Sequence, residues 1–250
     1  MASHPLSRAL VRIAVAYALP LSLFGAAGGV VKDSIDVDGT RHEYFVFAPP
    51  MNPGSGPAPL LMLLHGSGHD GRSLLDPWKS LAQREGLLLV APNSLNPQVW
   101  NIPRDGPTAL IRIADVVRKR YSADPRRMYL FGHSGGAVFA LWLSVGKPDY
   151  FAAIAVHAGA IVGAGPESQL QRAVGIVVRK TPIQIQVGTE DLDFPLAAVR
   201  RTADLFRAGG FAIDLREIPG HTHDYYSVSD RINRDAWEFL RGKTLPAEPQ

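Results

Sequence analysis

The chain of 250 residues contains no cysteine. Disulfide bonds, cysteine-ligated zinc sites and thiol nucleophiles are therefore excluded together. A protein without thiols can occupy either a reducing or an oxidising compartment, so the absence leaves the compartment open. Stability has to come from a packed core, and a hydrophobic content of 46% is ordinary for a globular protein that has one.

The chain also lacks any cluster of basic residues. Lys and Arg outnumber Asp and Glu by only 26 to 23, and they are scattered along the sequence without interleaved aromatic residues. Nucleic acid is therefore not an expected partner. There is no internal repeat and no low-complexity tract, and the length fits one large domain.

The first 29 residues differ from the rest. Arg8 and Arg12 precede an apolar run over residues 13–24, which is followed by small residues at 25–29. This order is typical of a secretory signal peptide, and the run is shorter than the roughly 20 residues of a membrane span. An uncleaved anchor and a buried N-terminal helix are the alternatives. We therefore predict a leader over residues 1–29, a secreted or periplasmic protein, and no stable membrane partner.

Strand-like and helix-like segments alternate after the leader. Continuous apolar runs such as 60–64 and 183–187 suit strands that are buried on both faces, while 108–121 and 195–208 have helical spacing. This rhythm predicts an α/β fold in residues 30–250, with a mostly parallel sheet covered by helices on both faces. Fewer than thirty residues separate the strands near 152–156 and 183–187, so we expect a minimal lid.

A glycine-flanked serine stands between a predicted strand and a predicted helix. Residues 132–136 read Gly-His-Ser-Gly-Gly, which matches the G-x-S-x-G pattern of a nucleophile turn. The flanking glycines remove Cβ atoms that would clash in a sharp turn, and the helix N-terminus favours developing negative charge. Ser134 is the predicted nucleophile. A glycine turn kept only for packing is the alternative.

A second glycine-rich loop follows the buried strand at 60–64. Its residues 65–68 read His-Gly-Ser-Gly, and the glycines allow the backbone to turn inward. Attack on an ester places charge on the carbonyl oxygen, which two backbone N–H groups commonly hold. We predict that Ser67 and Gly135 supply these donors. A plain connection between strand and helix is the alternative.

The acid of a Ser-His-Asp triad is expected after a late strand. The strand at 183–187 leads into a loop with three acidic residues, of which Asp191 is the predicted acid, Asp193 the second choice and Glu190 the third. Each of them could instead cap or precede the helix that follows. Asp193 suits the N-cap best, which favours Asp191 as the catalytic acid.

The general base is expected in the loop after the strand at 213–218. That loop contains two histidines, His221 and His223, and the residues alone leave both open. The sequence His-x-His-Asp at 221–224 also resembles the start of a zinc-ligand motif, but Tyr225 stands where that motif has a further histidine. With too few ligands for a metal site, we predict neither a metal nor an organic cofactor.

Two further residues are candidates for lining the substrate site. Trp100 lies in the long loop over residues 92–107, and His133 precedes the predicted nucleophile. Either side chain could instead fill the core.

Four motifs carry a resemblance to a known group: Leu-His-Gly-Ser-Gly (64–68), Gly-His-Ser-Gly-Gly (132–136), Phe-Ala-Ala-Ile-Ala (151–155) and Gly-Thr-Glu-Asp (188–191). They resemble α/β-hydrolases related to extracellular polyhydroxybutyrate depolymerases and feruloyl esterases. The block His-Asp-Tyr-Tyr (223–226) is similar to the His-Ser-Tyr-Tyr block of S-formylglutathione hydrolases, whose histidine is the base. The resemblance covers about residues 40–241 and favours His223 over His221.

The resemblance implies an α/β-hydrolase fold and cleavage of carboxylic esters through an acyl-serine intermediate. The expected partner is a small-molecule or polymeric ester. Two alternatives stay open. One is a serine peptidase or thioesterase on the same scaffold, because a triad does not choose its leaving group. The other is a binding protein that has kept the fold and lost catalysis.

Overall fold

The computed structural model describes residues 28–50, 54, 56–163 and 167–247. Almost all of the predicted leader lies outside these residues, so the leader and the export that it implies stay predictions. Among the residues described, no helix is both long enough and apolar enough to cross a membrane.

Eight strands form one sheet in the described part of the chain. They are β1 (Val30–Val37), β2 (Thr40–Phe47), β3 (Leu60–Leu64), β4 (Leu88–Pro92), β5 (Met128–His133), β6 (Ala153–His157), β7 (Ile183–Gly188) and β8 (Ile213–Ile218). Their order is β1-β2-β4-β3-β5-β6-β7-β8. Strands β3 to β8 are parallel to one another, whereas β2 is antiparallel to both of its neighbours. The predicted mostly parallel sheet is confirmed.

Helices cover both faces of this sheet. They are α1 (Gly71–Leu75), α2 (Lys79–Glu85), α3 (Ile102–Asp105), α4 (Pro107–Arg120), α5 (Gly135–Gly146), α6 (Glu167–Ile176), α7 (Leu196–Ala208) and α8 (Ser229–Leu240). Apolar residues of α4, α5, α6 and α7 belong to one buried cluster, and those of α1, α2 and α8 belong to the other.

Strand β3 shows why the apolar runs are continuous. Leu60, Met62 and Leu64 belong to the first cluster, and Leu61 and Leu63 to the second. Side chains alternate between the two faces of a strand, so a strand covered on both sides must be apolar at every position.

Three segments show features that the sequence analysis did not predict. A 3₁₀ turn at Asp76–Trp78 separates α1 from α2, where Pro77 has no N–H to continue an α-helical ladder. Strand β1 was not expected, because its mixed sequence lies at the half-buried edge of the sheet. Helix α6 occupies the short segment between β6 and β7.

The direction of the parallel strands determines where the predicted site residues lie. The loops after β3, β5, β7 and β8 all leave from the carboxyl edge of the sheet, which is where open α/β sheets bind ligands. These loops, together with the first residue of α5, contain all of the residues predicted for the triad and the oxyanion hole.

Candidate active site

Ser134 sits in a strained turn between β5 and α5. Its backbone has φ 53° and ψ −120°, a left-handed φ that is rare for a residue with a side chain. Its N–H donates to the carbonyl of His157 in β6 at 3.0 Å, which fixes the turn against the neighbouring strand. Cβ atoms on Gly132 and Gly136 would lie 2.4 and 2.0 Å from backbone carbonyl oxygens, so both positions require glycine.

His223 joins the serine to a buried carboxylate. Its Nε2 lies 3.0 Å from Ser134 Oγ, and its Nδ1 lies 2.9 Å from Asp191 Oδ2. The Asp191 side chain is fully buried, and its Oδ1 accepts hydrogen bonds from the backbone N–H groups of Asp193 and Phe194. With Nδ1–H donated to Asp191, the bare Nε2 faces the hydroxyl as a base must.

Asp193 occupies a different position. Its carboxylate lies 3.9 Å from Nδ1 of His223 and its side chain is 69% exposed. The expectation that Asp193 caps α7 is wrong: the helix starts at Leu196, and Pro195 in the N-cap position has no side chain that can accept a hydrogen bond. The Asp193 backbone instead supports Asp191. Glu190 is exposed at the rim of the site.

The two candidate histidines are clearly separated in space. His221 does not contact Ser134; its Nε2 lies 3.2 Å from Nε2 of the buried His157. His157 in turn approaches His133, with 3.0 Å between their Nδ1 atoms. The structure therefore brings His223 to the serine, and it places His221 at the end of a row of imidazoles.

The predicted oxyanion donors lie beside each other. A Cβ on Gly135 would be 2.9 Å from Ser67 Oγ and 3.6 Å from the Ser67 nitrogen. The backbone N–H groups of Ser67 and Gly135 donate to no other described residue. Both donors thus stand free next to Ser134, although their role in holding an oxyanion stays a prediction.

Buried side chains pack beneath the loop after β3, which carries Ser67. His65 makes a contact of 2.8 Å between its Nδ1 and the carbonyl of Gly66, and its Nε2 accepts the backbone N–H of Ser94. Trp100 donates its indole N–H to the carbonyl of His65 at 2.8 Å and stacks on Phe139. Trp100 is only 8% exposed and does not line the cleft beside the triad, so its substrate-binding role stays a prediction.

An open cleft of about 450 Å³ lies next to the triad. His133 and His223 form part of its wall together with Tyr225 and Tyr226. That His133 contacts a substrate there stays a prediction. The remaining wall residues come from three loops and include three carboxylates: His69, Glu190, Leu192, Asp193, Thr222 and Asp224. No Lys or Arg belongs to this described lining, although the whole chain carries a net charge of +3.

Burial keeps several imidazoles of the site neutral. Burial first, and then the neighbouring His223, lower the pKa of His133 to about 3. Burial also holds the pKa of His157 well below its ordinary value, and it lowers the pKa values of His65 and His221. Desolvation disfavours the charged form of an imidazole, so these rings act as hydrogen-bonding groups and not as cations near neutral pH.

Asp191, Asp193 and His223 are also near enough to form a set of metal ligands, since one atom from each lies within 4.8 Å of the others. Both oxygens of Asp191 and the Nδ1 of His223 are already used in hydrogen bonds within the protein. Two of the three candidate ligands are therefore occupied within the protein, and the arrangement fits a triad better than a metal site.

Sequence reasoning overlooked the row formed by His133, His157 and His221. A usable signal was present, because two successive parallel strands, β5 and β6, both end in histidine. The sheet register pairs His133 with His157. The acidic wall formed by Asp224 and Glu190 was also overlooked, because these residues come together only when the loops after β7 and β8 meet.

The fold and this site define the chain as an α/β-hydrolase with the arrangement of a serine hydrolase. The Esterase family model matches residues 111–240, which is more than half of the chain, and the chain belongs to that family. The resemblance seen in the sequence is thereby confirmed.

Two curated relatives are similar to part of the chain. One is the bifunctional acetylxylan esterase/xylanase XynS20E of Neocallimastix patriciarum, 32% identical over 114 residues, which are 44% of this chain and 16% of that protein. The other is a poly(3-hydroxybutyrate) depolymerase of Ralstonia pickettii, 26% identical over 141 residues, which are 48% of this chain and 29% of that protein. The matched region spans less than a third of either relative.

Solved structures share the fold at low sequence identity. The fluorophosphonate-binding serine hydrolase F of Staphylococcus aureus matches with a TM-score of 0.71 and 16% identity, over 86% of this chain and 99% of that one. A ferulic acid esterase matches with a TM-score of 0.69 and 18% identity, over 85% of this chain and 98% of that one.

Proposed function

We propose that the chain hydrolyses carboxylic esters through an acyl-serine intermediate on Ser134. The observation that carries the proposal is the continuous hydrogen-bonded chain from Ser134 Oγ through His223 to Asp191, with contacts of 3.0 and 2.9 Å. Membership of the Esterase family supports the same reaction class.

The reaction follows from this geometry. Ser134 Oγ attacks the carbonyl carbon while Nε2 of His223 takes the hydroxyl proton, and Asp191 stabilises the imidazolium that forms. The N–H groups of Ser67 and Gly135 hold the negative oxygen of the tetrahedral intermediate. The intermediate collapses, the ester C–O bond breaks, and His223 delivers its proton to the leaving alcohol. Water then attacks the acyl-serine by the same route and releases the acid.

The cleft favours neutral esters with a small acyl group, or the exposed chain of a polymer. It is open, and its wall contains three exposed carboxylates, from Glu190, Asp193 and Asp224. Negative charge at the rim repels an anionic substrate, whereas an acetylated sugar or a polyester segment carries no charge to repel. The named activities of the two curated relatives, on acetylxylan and poly(3-hydroxybutyrate), fit this class.

Replacing the nucleophile tests the proposal. Ser134→Ala should remove essentially all hydrolysis of p-nitrophenyl esters and all labelling by a fluorophosphonate probe, with an unchanged circular dichroism spectrum. Ser144→Ala is the matched control, because Ser144 lies on the same helix and donates to the carbonyl of Leu141, away from the site. A Ser134→Ala protein that kept a tenth of the wild-type turnover would contradict the proposal.

The substrate is then identified with a panel of p-nitrophenyl acetate, feruloyl esters, acetylated xylan and polyhydroxybutyrate.

We also propose export directed by residues 1–29. Expression in a bacterium, followed by N-terminal sequencing of the periplasmic protein, tests it; an intact Met1 in the cytoplasmic fraction contradicts it.

A further inference from the structure

Three imidazoles form a hydrogen-bonded row behind the proposed triad: His133, His157 and His221, here called the histidine row. His157 stands in the middle with both ring nitrogens engaged, at 3.0 Å from Nδ1 of His133 and 3.2 Å from Nε2 of His221. It is fully buried. Because no other natural side chain offers two ring nitrogens on opposite sides, histidine alone can bridge its two neighbours in this way.

The row is joined to the turn that carries Ser134. The carbonyl of His157 accepts the backbone N–H of Ser134 at 3.0 Å, and His133 directly precedes that serine. The ring of His133 also lies 5.1 Å from the ring of His223, centroid to centroid. Movement in the row would therefore reach the turn that presents the serine.

The outer end of the row lies in the loop that carries the base. His221 precedes His223 by two residues, and its carbonyl accepts the backbone N–H of Glu190 at 2.9 Å. A Cβ on Gly188 would lie 2.0 Å from that same carbonyl oxygen, so the base loop packs directly on the acid loop. The ring of His221 connects this junction to the buried His157 at the end of β6.

We infer that the histidine row is a positioning device, in which His157 and His221 hold the base loop so that Nε2 of His223 stays within hydrogen-bond distance of Ser134. His221 is thus a positioning residue and not a second base. The inference rests on the proposed esterase site and deepens it, because it gives His157 and His221 a role although their side chains contact neither Ser134 Oγ nor His223.

The chemistry of the row suits this role. Each contact needs one N–H donor and one bare nitrogen, which neutral imidazoles supply in either direction along the row. Burial lowers the pKa values of all three rings, with that of His133 falling to about 3. Desolvation is the largest effect on the pKa of His221 and lowers it, Asp224 and Asp191 act to raise it, and Arg231 and His223 act to lower it.

The decisive comparison is between His221→Gln and His221→Leu. A glutamine amide can still donate to or accept from Nε2 of His157, whereas leucine keeps the bulk and loses the contact. We expect His221→Gln to stay within about threefold of wild type in kcat, and His221→Leu to lose about ten- to a hundredfold in kcat with KM within about twofold. Displacements of an ångström in a catalytic group have effects of this size.

The rate of fluorophosphonate labelling at Ser134 should fall in parallel, because labelling needs the same base but no ester substrate. His157→Asn keeps a partner for His133, loses the partner for His221, and should reproduce the His221→Leu loss. His42→Gln is the control for removing a buried histidine, since His42 lies in β2 outside the site and should leave kcat within about twofold. A thermal melt of each variant gives its Tm, and all kinetics are measured at a temperature at which every variant is folded.

The results separate the two proposals. Equal losses in His221→Gln and His221→Leu, no loss in His221→Leu, or a change confined to KM would each overturn the positioning role while leaving the esterase proposal standing. A wild-type protein that hydrolyses no ester overturns the proposed function instead. The labelling rates of the variants would still test the row in that case.

Discussion

Asp191 Oδ2 lies 2.9 Å from Nδ1 of His223, with the aspartate side chain completely buried and the other carboxylate oxygen held by two backbone N–H groups. In the proposed mechanism, a carboxylate held in this way orients the imidazole and stabilises its positive charge during attack. Asp193 is two residues away, exposed, and 3.9 Å from the same nitrogen.

The different positions of Asp191 and Asp193 predict that replacing each aspartate with asparagine will have unequal effects on kcat. Asp191→Asn should lower kcat by up to about ten thousandfold, because an amide can donate to Nδ1 and thereby turn the wrong tautomer toward Ser134. Asp193→Asn should stay within a few-fold, since its backbone N–H, which supports Asp191, is retained. Steady-state kinetics on p-nitrophenyl acetate measures both. Equal losses in the two variants would show that the acid has been assigned wrongly.

Adjacent glycines should respond differently to the same added methyl group. A Cβ at Gly136 would lie 2.0 Å from the backbone carbonyl oxygen of Leu64, whereas one at Gly135 meets the rotatable hydroxyl of Ser67 at 2.9 Å. Gly136→Ala should therefore cost about 3 kcal/mol of unfolding free energy or prevent folding. Gly135→Ala should fold normally and keep activity within about tenfold. Urea unfolding compares the two, and a stable Gly136→Ala protein would contradict this.

The fold and the candidate residues of the triad could be predicted from the sequence, because both depend on local patterns. The buried strands are apolar throughout, as in Leu60–Leu64. Ser134 can be recognised in the sequence by the flanking glycines that its strained backbone requires. The spacing of two histidines after β8 narrowed the base to two positions. Their loop has no periodic pattern, so residue chemistry alone could not separate His221 from His223. The resemblance to a known histidine block favoured His223, and the structure places that residue next to Ser134.

The remaining features depend on contacts between distant segments. The row through His157 needs the register of β5 against β6 and the return of the chain after β8, which no single stretch of sequence encodes. Trp100 lies in a loop rich in polar residues, yet its indole is buried beneath the loop that carries Ser67, where its N–H donates to the carbonyl of His65. The support of Asp191 by backbone N–H groups likewise follows from the shape of its turn and not from side-chain identity.

Buried neutral histidines should make the protein acid-sensitive. His133 has a pKa of about 3 when folded against an ordinary value of 6.5, and the pKa of His157 is shifted in the same direction. Above pH 6.5 neither the folded nor the unfolded chain protonates these rings. Below it the unfolded chain binds protons that the folded chain does not, so stability falls as the pH falls toward 3. Each ring contributes up to about 1.4 kcal/mol per pH unit.

Urea midpoints between pH 7.5 and 4.5 measure this effect. His133→Asn keeps an amide where Nδ1 was but cannot titrate, so its stability should vary less steeply with pH by about 1.4 kcal/mol per unit. His69→Gln, which removes an exposed imidazole, is the control. An unchanged slope in His133→Asn would mean that His133 is protonated in the folded protein.

The acidic rim predicts charge selectivity, and two esters of similar size test it. The carboxylates of Glu190, Asp193 and Asp224 line a cleft without Lys or Arg among its described wall residues. p-Nitrophenyl butyrate should therefore be hydrolysed with a higher kcat/KM than the anionic p-nitrophenyl hemisuccinate. Exposed charges a few ångströms from the substrate are worth about 0.5–1 kcal/mol each in water, or about two- to fivefold per carboxylate.

The electrostatic origin is isolated by changing charge without changing shape. Glu190→Gln and Asp224→Asn should each raise kcat/KM for the hemisuccinate by about two- to fivefold and leave the butyrate value unchanged, because neither carboxylate is hydrogen-bonded to Ser134 or to the ring of His223. Raising NaCl from 0.05 to 0.5 M should narrow the gap between the two esters in the wild type, since salt at that concentration shortens the screening length to a few ångströms. Glu238→Gln, on the outer surface of α8 and paired with Arg241, is the control for removing a carboxylate far from the cleft. If the preference for butyrate survives both high salt and the two neutralised variants, it comes from the fit of the acyl chain and not from the charge of the rim.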